Sequence, residues 1–316
     1  MRILFLGAGG IGGLVGGRLA QHGADVTFLV REKRQAQLEA DGLRIESPQG
    51  DAQVKVKTLL KSQVGADYDL VVLTAKAYDL DDAIDTLRPA LAGEAAILPL
   101  LNGIAHIELL NREFGAARVL GGTARMQVTL TPEGVVRQLN DWQTVTFGEQ
   151  DGSESARLQT FKALLTQTGI EAKLSTNIMR ELWLKLVHLA TVASATCAMR
   201  ANLGEIARTP EGTAMLLRLL ETNAEIAAQA GHRPDEKFLQ TYRDLFATRD
   251  AKYEASMLRD LEKGGRIESE QVIGYMLQRC RAAGLPDAML LMAYTHVKAY
   301  EQRRDAGRLP AHPAGK

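Results

Sequence analysis

Ile3-Leu4-Phe5-Leu6-Gly7-Ala8-Gly9-Gly10-Ile11-Gly12 begins as a short apolar run and turns without a break into glycines. Such a run suits a strand buried on both faces. Apolar residues are spaced helically from Ile11 to Gln21, and Asp25 to Val30 is again apolar and β-branched. Strand, glycine turn, helix and strand within thirty residues make a βαβ unit. Glycines spaced G-x-G-x-x-G are common in turns and weak evidence alone. Between a strand and a helix they set bare backbone N–H groups at a helix N-terminus, where a pyrophosphate can approach. Gly7 would permit the tight turn, Gly9 the approach of phosphate, and Gly12 the close packing of helix on strand. Ala8, Gly10 and Ile11 complete the expected cofactor-binding stretch.

The end of the second strand decides which dinucleotide fits. An NAD site usually carries a carboxylate there for the ribose hydroxyls. This strand ends Leu29-Val30-Arg31, and the planar fork of Arg31 suits a 2′-phosphate, so NADP(H) is the expected cofactor. The adjacent Glu32 keeps NAD open. Lys33 and Arg34 are either further phosphate partners or the solvated start of a helix.

Outward from this unit, strands are expected at Asp69 to Leu73, Ala95 to Pro99 and Arg118 to Gly121, with helices near Leu80 to Leu91 and Ile104 to Glu113. This alternation predicts a Rossmann-type, doubly wound α/β fold. Short β-rich pieces from Thr123 to Gly148 are expected as antiparallel strands at the sheet edge, before a helix at Glu154 to Gln167 and a strand at Glu171 to Leu174. Later segments have helical periodicity: Ile178 to Met199, Glu211 to Ala230, Asp235 to Phe246 and Glu268 to Ala283. The expected division is residues 1–174 for the dinucleotide and 175–316 for an all-helical substrate domain, with a frayed tail after Arg303.

Composition narrows the partners. With 46% hydrophobic and 24% charged residues, the 316-residue chain is ordinary globular material rather than a disordered or fibrous one. Lys plus Arg at 38 balances Asp plus Glu at 38, so no overall field favours nucleic acid or an anionic membrane. Met1-Arg2 and the uncharged stretch after them resemble a secretory leader, but glycines at Gly7, Gly9, Gly10, Gly12, Gly13, Gly16 and Gly17 are poor for an inserted helix. Leu186 to Met199, interrupted by His188, falls short of the about 20 residues a bilayer needs. Cys197 and Cys280 lie far apart and read as reduced cytoplasmic thiols. Six histidines without paired spacing give no metal site.

Two residues stand where ligands bind in open α/β sheets, beyond the carboxyl ends of strands. Lys76 follows Val71-Val72-Leu73-Thr74-Ala75, and Asn102-Gly103 follows Pro99-Leu100-Leu101. A surface lysine is the alternative reading of Lys76, and Asn-Gly is also a plain turn signal.

Together these residues resemble the ketopantoate reductase (2-dehydropantoate 2-reductase) family over nearly the whole chain. Glycine fingerprint, Arg31, the Lys76 to Asp79 segment and Asn102 all match. Trp183-Leu184-Lys185-Leu186 looks like the family's W-x-K-L, Ser256 to Asp260 like its S-M-x-x-D, and Ile267-Glu268 like its T-E. The resemblance implies NADPH-dependent reduction of ketopantoate to pantoate, for pantothenate and coenzyme A synthesis, in a cleft between the two domains. Lys185 would be the general acid and Glu268 its partner. Asn102 would meet the nicotinamide ribose or the substrate, and Ser256 the substrate carboxylate. Analogy also suggests a homodimer through the helical domain. Taken singly, Lys185 could be a snorkelling lysine, Glu268 a helix-start carboxylate and Ser256 a buried hydroxyl.

The departures bear on the substrate. The family pattern has asparagines four and eight residues after the lysine, on one helix face at about 100° per residue. Here they are Leu189 and Ala193. The threonine before the glutamate is Ile267, and the asparagine before Gly274 is Ile273. Lost amides can shift specificity by orders of magnitude. His188 either compensates as a substrate-binding residue or is a satisfied core histidine. Two alternatives stay open: a paralogue acting on a more apolar 2-oxo acid or an imine, in the manner of opine dehydrogenases, and an NADP-binding sensor without turnover.

Overall fold

The computed structural model describes residues 1–309. The chain forms two compact units, one of residues 1–101 and 106–182, the other of residues 102–105 and from Trp183 onward. In chain order the first unit contains β1 (Arg2–Leu6), α1 (Gly10–Gln21), β2 (Asp25–Leu29), α2 (Glu32–Asp41), β3 (Leu43–Glu46), β4 (Ala52–Val54), β5 (Lys57–Leu59), β6 (Leu70–Leu73), α3 (Leu80–Leu87) and β7 (Ala96–Pro99). It continues with α4 (Ala105–Phe114), β8 (Leu120–Arg125), β9 (Val128–Leu130), β10 (Val136–Gln138), β11 (Thr144–Glu149), α5 (Ala156–Thr166) and β12 (Glu171–Leu174).

The central sheet is wholly parallel, in the order β5-β2-β1-β6-β7. Strands β6 and β7 are buried along their whole length, as are Ile3, Leu4 and Phe5 of β1, which accounts for their unbroken apolar sequence. The expected antiparallel edge divides into two small sheets. Strands β12-β11-β8 form one, with β8 lying against β7 and an isolated parallel bridge, Ile97–Val119, just before it. The β9–β10 hairpin instead joins β3 and β4 in the order β4-β3-β10-β9.

Helix α1 explains this division. A Cβ on Gly16 would sit 2.7 Å from Phe28, and Cβ atoms on Gly13 and Gly17 would sit 2.6 Å from Val136 and from Leu43. The helix is thus glycine on two sides, against the central sheet and against β3 and β10. Glycines that only argued against a leader sequence are the surface on which a second sheet rests. Strands β3 to β5 were missed, being three or four residues each; only β3 shows clean alternation, with Leu43 and Ile45 buried.

The second unit is helical: most of α6 (Ile178–Met199), then α7 (Leu203–Ala207), α8 (Gly212–Gln229), α9 (Glu236–Ala247), α10 (Ser256–Glu262), a π-helical turn at Glu270–Gly274, α11 (Tyr275–Ala282) and α12 (Ala288–Asp305). Helix α6 is 22 residues long and apolar enough to cross a membrane by length and composition, so the run from Leu186 understates it. It is 67% buried over its most apolar window, as a core helix is. The tail stays helical to Asp305; Pro310, Pro313 and Gly315 lie outside the described residues.

Candidate active site

Gly7 has φ +98°, a left-handed conformation that glycine adopts without steric cost, and its N–H donates to the Leu29 carbonyl at 3.0 Å. A Cβ on Gly12 would lie 2.3 Å from the Gly7 carbonyl oxygen and 2.4 Å from Thr74 Oγ1, so even one methyl is excluded. A Cβ on Gly9 would meet nothing within 4 Å. Gly9 also caps α1 without a side chain, leaving the first-turn N–H groups to an incoming acceptor. Ala8 is buried, Gly10 rests against the Val128 carbonyl, and Ile11 packs on the core. A dinucleotide pyrophosphate fits this donor set: open backbone, positive helix end and no blocking side chain.

Thr74, beside the turn, is a residue that sequence reasoning missed. Its hydroxyl donates to the Leu6 carbonyl at 2.9 Å, tying the end of β6 to the start of the glycine turn. A short polar residue directly after a buried strand was the available signal.

The basic residues after β2 have separate fates. Arg31 is largely exposed at the start of α2, with Nη2 3.9 Å from Asp79 Oδ2, and Lys33 is exposed. Arg34 turns inward and donates to the Ala8 carbonyl from Nε at 3.2 Å and Nη2 at 3.0 Å. Its Nη1 donates to the Gly134 carbonyl at 2.9 Å and to Gln37 Oε1 at 2.6 Å. Arg34 is therefore neither a solvated charge nor turned out toward a phosphate. Burial pushes its pKa below the usual guanidinium value, with a further contribution from Arg44. Lys76 is exposed after β6, at the start of a single 3-10 turn.

In the helical unit, Asn102 Nδ2 donates to Glu268 Oε2 at 3.3 Å, and Glu268 is only 8% exposed. Gly103, at φ +86°, makes the close approach possible, since a Cβ there would lie 2.6 Å from the Gln271 carbonyl of the π turn. An insertion-like π turn directly after a buried carboxylate is a frequent feature of functional sites. Lys185 is half-buried on α6. Two residues before it, Trp183 is buried, with the His232 and Tyr275 rings 6.0 and 6.1 Å away, which fixes the rotation of the helix.

Leu189 is half-buried and Ala193 buried, on the stripe that Lys185 begins. The His188 ring, one helical turn after Lys185, stacks with Tyr242 at 4.7 Å, and its Nε2 meets the Tyr253 hydroxyl at 2.7 Å. Ser256 is the exposed first residue of α10. Burial pushes the Cys197 thiol up to about 12, an inert sulfur. Among the described residues, no group of three His, Cys, Asp or Glu side chains could hold a metal ion.

Comparison with known proteins covers both units. The family model for ketopantoate reductase PanE/ApbA matches residues 3–152, and that for its C-terminal domain residues 177–301. A 2-dehydropantoate 2-reductase of Halobacterium salinarum is 31% identical over 283 residues, covering 89% of this chain and 92% of the relative. An uncharacterized oxidoreductase of Bacillus subtilis, YkpB, is 29% identical over 96% of this chain and all of its own. Among solved structures, 2-dehydropantoate 2-reductase from Methylococcus capsulatus superposes with a TM-score of 0.85 at 25% identity, over 96% of this chain and 98% of that one. D-mandelate dehydrogenase, solved with NADH and anilino(oxo)acetate, gives 0.85 at 20% identity over 96% and 99%, a likeness of fold. With both domain models matched in order and a curated reductase related over almost its full length, the chain belongs to the ketopantoate reductase family of oxidoreductases.

Proposed function

We propose that this protein is an NADPH-dependent reductase that converts a 2-oxo acid to the 2-hydroxy acid, with 2-dehydropantoate as first substrate. The observation that carries the reading is the Asn102–Glu268 pair at 3.3 Å, a half-buried amide on a buried carboxylate, drawn from residues far apart in sequence at the positions the family resemblance implies for its site. A bound nicotinamide would supply the hydride; the Gly7 to Gly12 turn would hold its pyrophosphate, with Arg31 serving the 2′-phosphate and Lys76 the same ligand.

Reduction of a ketone also needs a proton at the carbonyl oxygen and a grip on the carboxylate. Lys185, as an ammonium, polarises the carbonyl and donates that proton. Glu268 orients the lysine and accepts a hydrogen bond from the product hydroxyl. Asn102, donating to Glu268, holds the carboxylate to one rotamer, and the exposed Ser256 hydroxyl serves the substrate carboxylate. Taking a small-molecule substrate, the enzyme needs neither nucleic acid nor membrane; a cytoplasmic homodimer completes the proposal.

A second reading, a more apolar 2-oxo acid, is favoured by Leu189 and Ala193 on the Lys185 stripe. It gains interest from D-mandelate dehydrogenase, a protein of the same fold solved with an aromatic oxo acid. Steady-state oxidation of NADPH and of NADH with 2-dehydropantoate and a panel of apolar 2-oxo acids tests both. Fast NADPH-dependent turnover of 2-dehydropantoate supports the first; turnover confined to apolar acids selects the second. Dinucleotide binding without turnover of any panel member rejects both in favour of a sensor.

A further inference from the structure

We infer that Arg34 is a positioning residue for the dinucleotide: it acts through the Ala8 carbonyl to aim the Gly9 N–H at the pyrophosphate. The inference rests on the reading of the Gly7 to Gly12 turn as a dinucleotide grip. Two guanidinium nitrogens, Nε at 3.2 Å and Nη2 at 3.0 Å, converge on the Ala8 carbonyl oxygen. The carbonyl of residue 8 and the N–H of residue 9 belong to one planar trans peptide, in which they point in opposite directions. Fixing the carbonyl toward Arg34 therefore turns the Gly9 N–H away from it. Glycine at this position leaves the peptide no side chain to hold its plane, and a Cβ there would touch nothing within 4 Å. Without an external clamp this is the least constrained peptide of the turn, and it is the one that the phosphate must meet.

The charge matters as well as the shape. Arg34 is half-buried, and burial works against its charged form, yet it spends two of its five N–H donors on one carbonyl and two more on Gly134 and Gln37. A desolvated cation held against the turn adds attraction for a diphosphate at short range. Arginine suits this because its rigid fork reaches Ala8 and Gly134 together, whereas a lysine reaches one point.

A structural alternative is that Arg34 merely ties the β9–β10 turn to α2. Gln37, one helical turn later, also does this, its Nε2 donating to the Glu133 carbonyl at 2.8 Å. The two roles therefore separate by mutation. Dissociation constants for NADPH and NADH are measured by nucleotide fluorescence on the full-length protein, with melting temperatures recorded for each variant. Arg34→Ala is expected to weaken both dinucleotides about tenfold, the loss of one charge-assisted hydrogen bond, and to leave their ratio unchanged. Arg34→Lys is expected to recover part of this, and Gln37→Ala to bind as the wild type does. Arg31→Ala should instead weaken NADPH alone. The inference is overturned if Arg34→Ala binds both as the wild type does, if it loses NADPH selectively, or if Gln37→Ala matches it. Wild-type protein that binds neither dinucleotide overturns the underlying reading as well, and is told apart by occurring before any substitution.

Discussion

The glycine turn and the Asn102–Glu268 pair do their work with opposite materials. Between Gly7 and Gly12 the proposed ligand-facing groups are backbone, and glycine serves in two ways: a methyl on Gly12 would overlap the Gly7 carbonyl, while one on Gly9 would stand in open space on the approach to the turn. The pair in the helical unit is made of side chains 166 residues apart that meet at 3.3 Å only because the chain returns there. A site built from backbone must be written in consecutive residues, since only neighbours share a turn. A site built from side chains can be assembled from anywhere, and each member looks ordinary alone. The first is intolerant of volume, the second of lost charge.

Substitution of Lys185 should show this division most sharply. Lys185→Ala is expected to lower kcat by about 10²–10⁴, the range for losing a positioned general acid, while the dinucleotide dissociation constants stay as in the wild type. Stopped-flow turnover beside nucleotide titration measures both, and loss of dinucleotide binding in this variant would show that the two functions are not separable. Gly12→Val is the converse. Three added carbons must enter a space where the first already lies 2.3 Å from backbone, so stability should fall by about 1–3 kcal/mol and dinucleotide binding should disappear. Denaturant unfolding and the same titration would check it; a stable variant with intact binding would mean that the turn opens more readily than its packing indicates.

The same contrast explains what could be read from the sequence. The parallel sheet was legible because β1, β6 and β7 are buried on both faces and therefore continuously apolar. Strands β3 to β5 were not, because each is only three or four residues long and takes its place from residues elsewhere in the chain, β3 from Gly17 of α1 and β5 from β2. The π turn at Glu270–Gly274 has no periodic signature, so one helix was expected where a π turn and α11 stand. In the candidate site, Gly7, Gly9 and Gly12 could be singled out from their spacing between a strand and a helix. Lys185 and Glu268 became candidates only through the joint resemblance, since a lysine beside a tryptophan on a helix is ordinary. Arg34 was weighed only as a phosphate partner or a solvated helix start, and Thr74 escaped, because both act on carbonyls at the turn and no residue of the turn indicates which side chain will bond its oxygen.

Leu189 offers a change of chemistry beside the proposed acid, Lys185, without touching it. On the stripe that begins at Lys185 it stands where the family pattern has an amide, and it is half-buried, so a polar replacement still reaches solvent. Leu189→Asn is expected to raise kcat/KM for 2-dehydropantoate relative to an apolar 2-oxo acid by about tenfold, as one gained hydrogen bond does. Competition of the two substrates in a single assay reads the ratio directly. An unchanged ratio would place the determinant of specificity off this helix face.

Thr74 tests the backbone site at its smallest scale. Its hydroxyl donates to the Leu6 carbonyl at 2.9 Å, while the same oxygen stands where any Cβ on Gly12 would have to go. Thr74→Val keeps the shape and removes the hydrogen bond, leaving the Leu6 carbonyl short of one donor. The expected cost is about 1 kcal/mol of folding stability, read from the urea midpoint at unchanged slope. Dinucleotide binding should weaken by less than in Arg34→Ala, because Thr74 holds the entrance of the turn at Leu6 and Arg34 the peptide proposed to face the phosphate. If Thr74→Val weakened binding as much as Arg34→Ala does, the turn would be one cooperative unit, with no single peptide bearing the orientation.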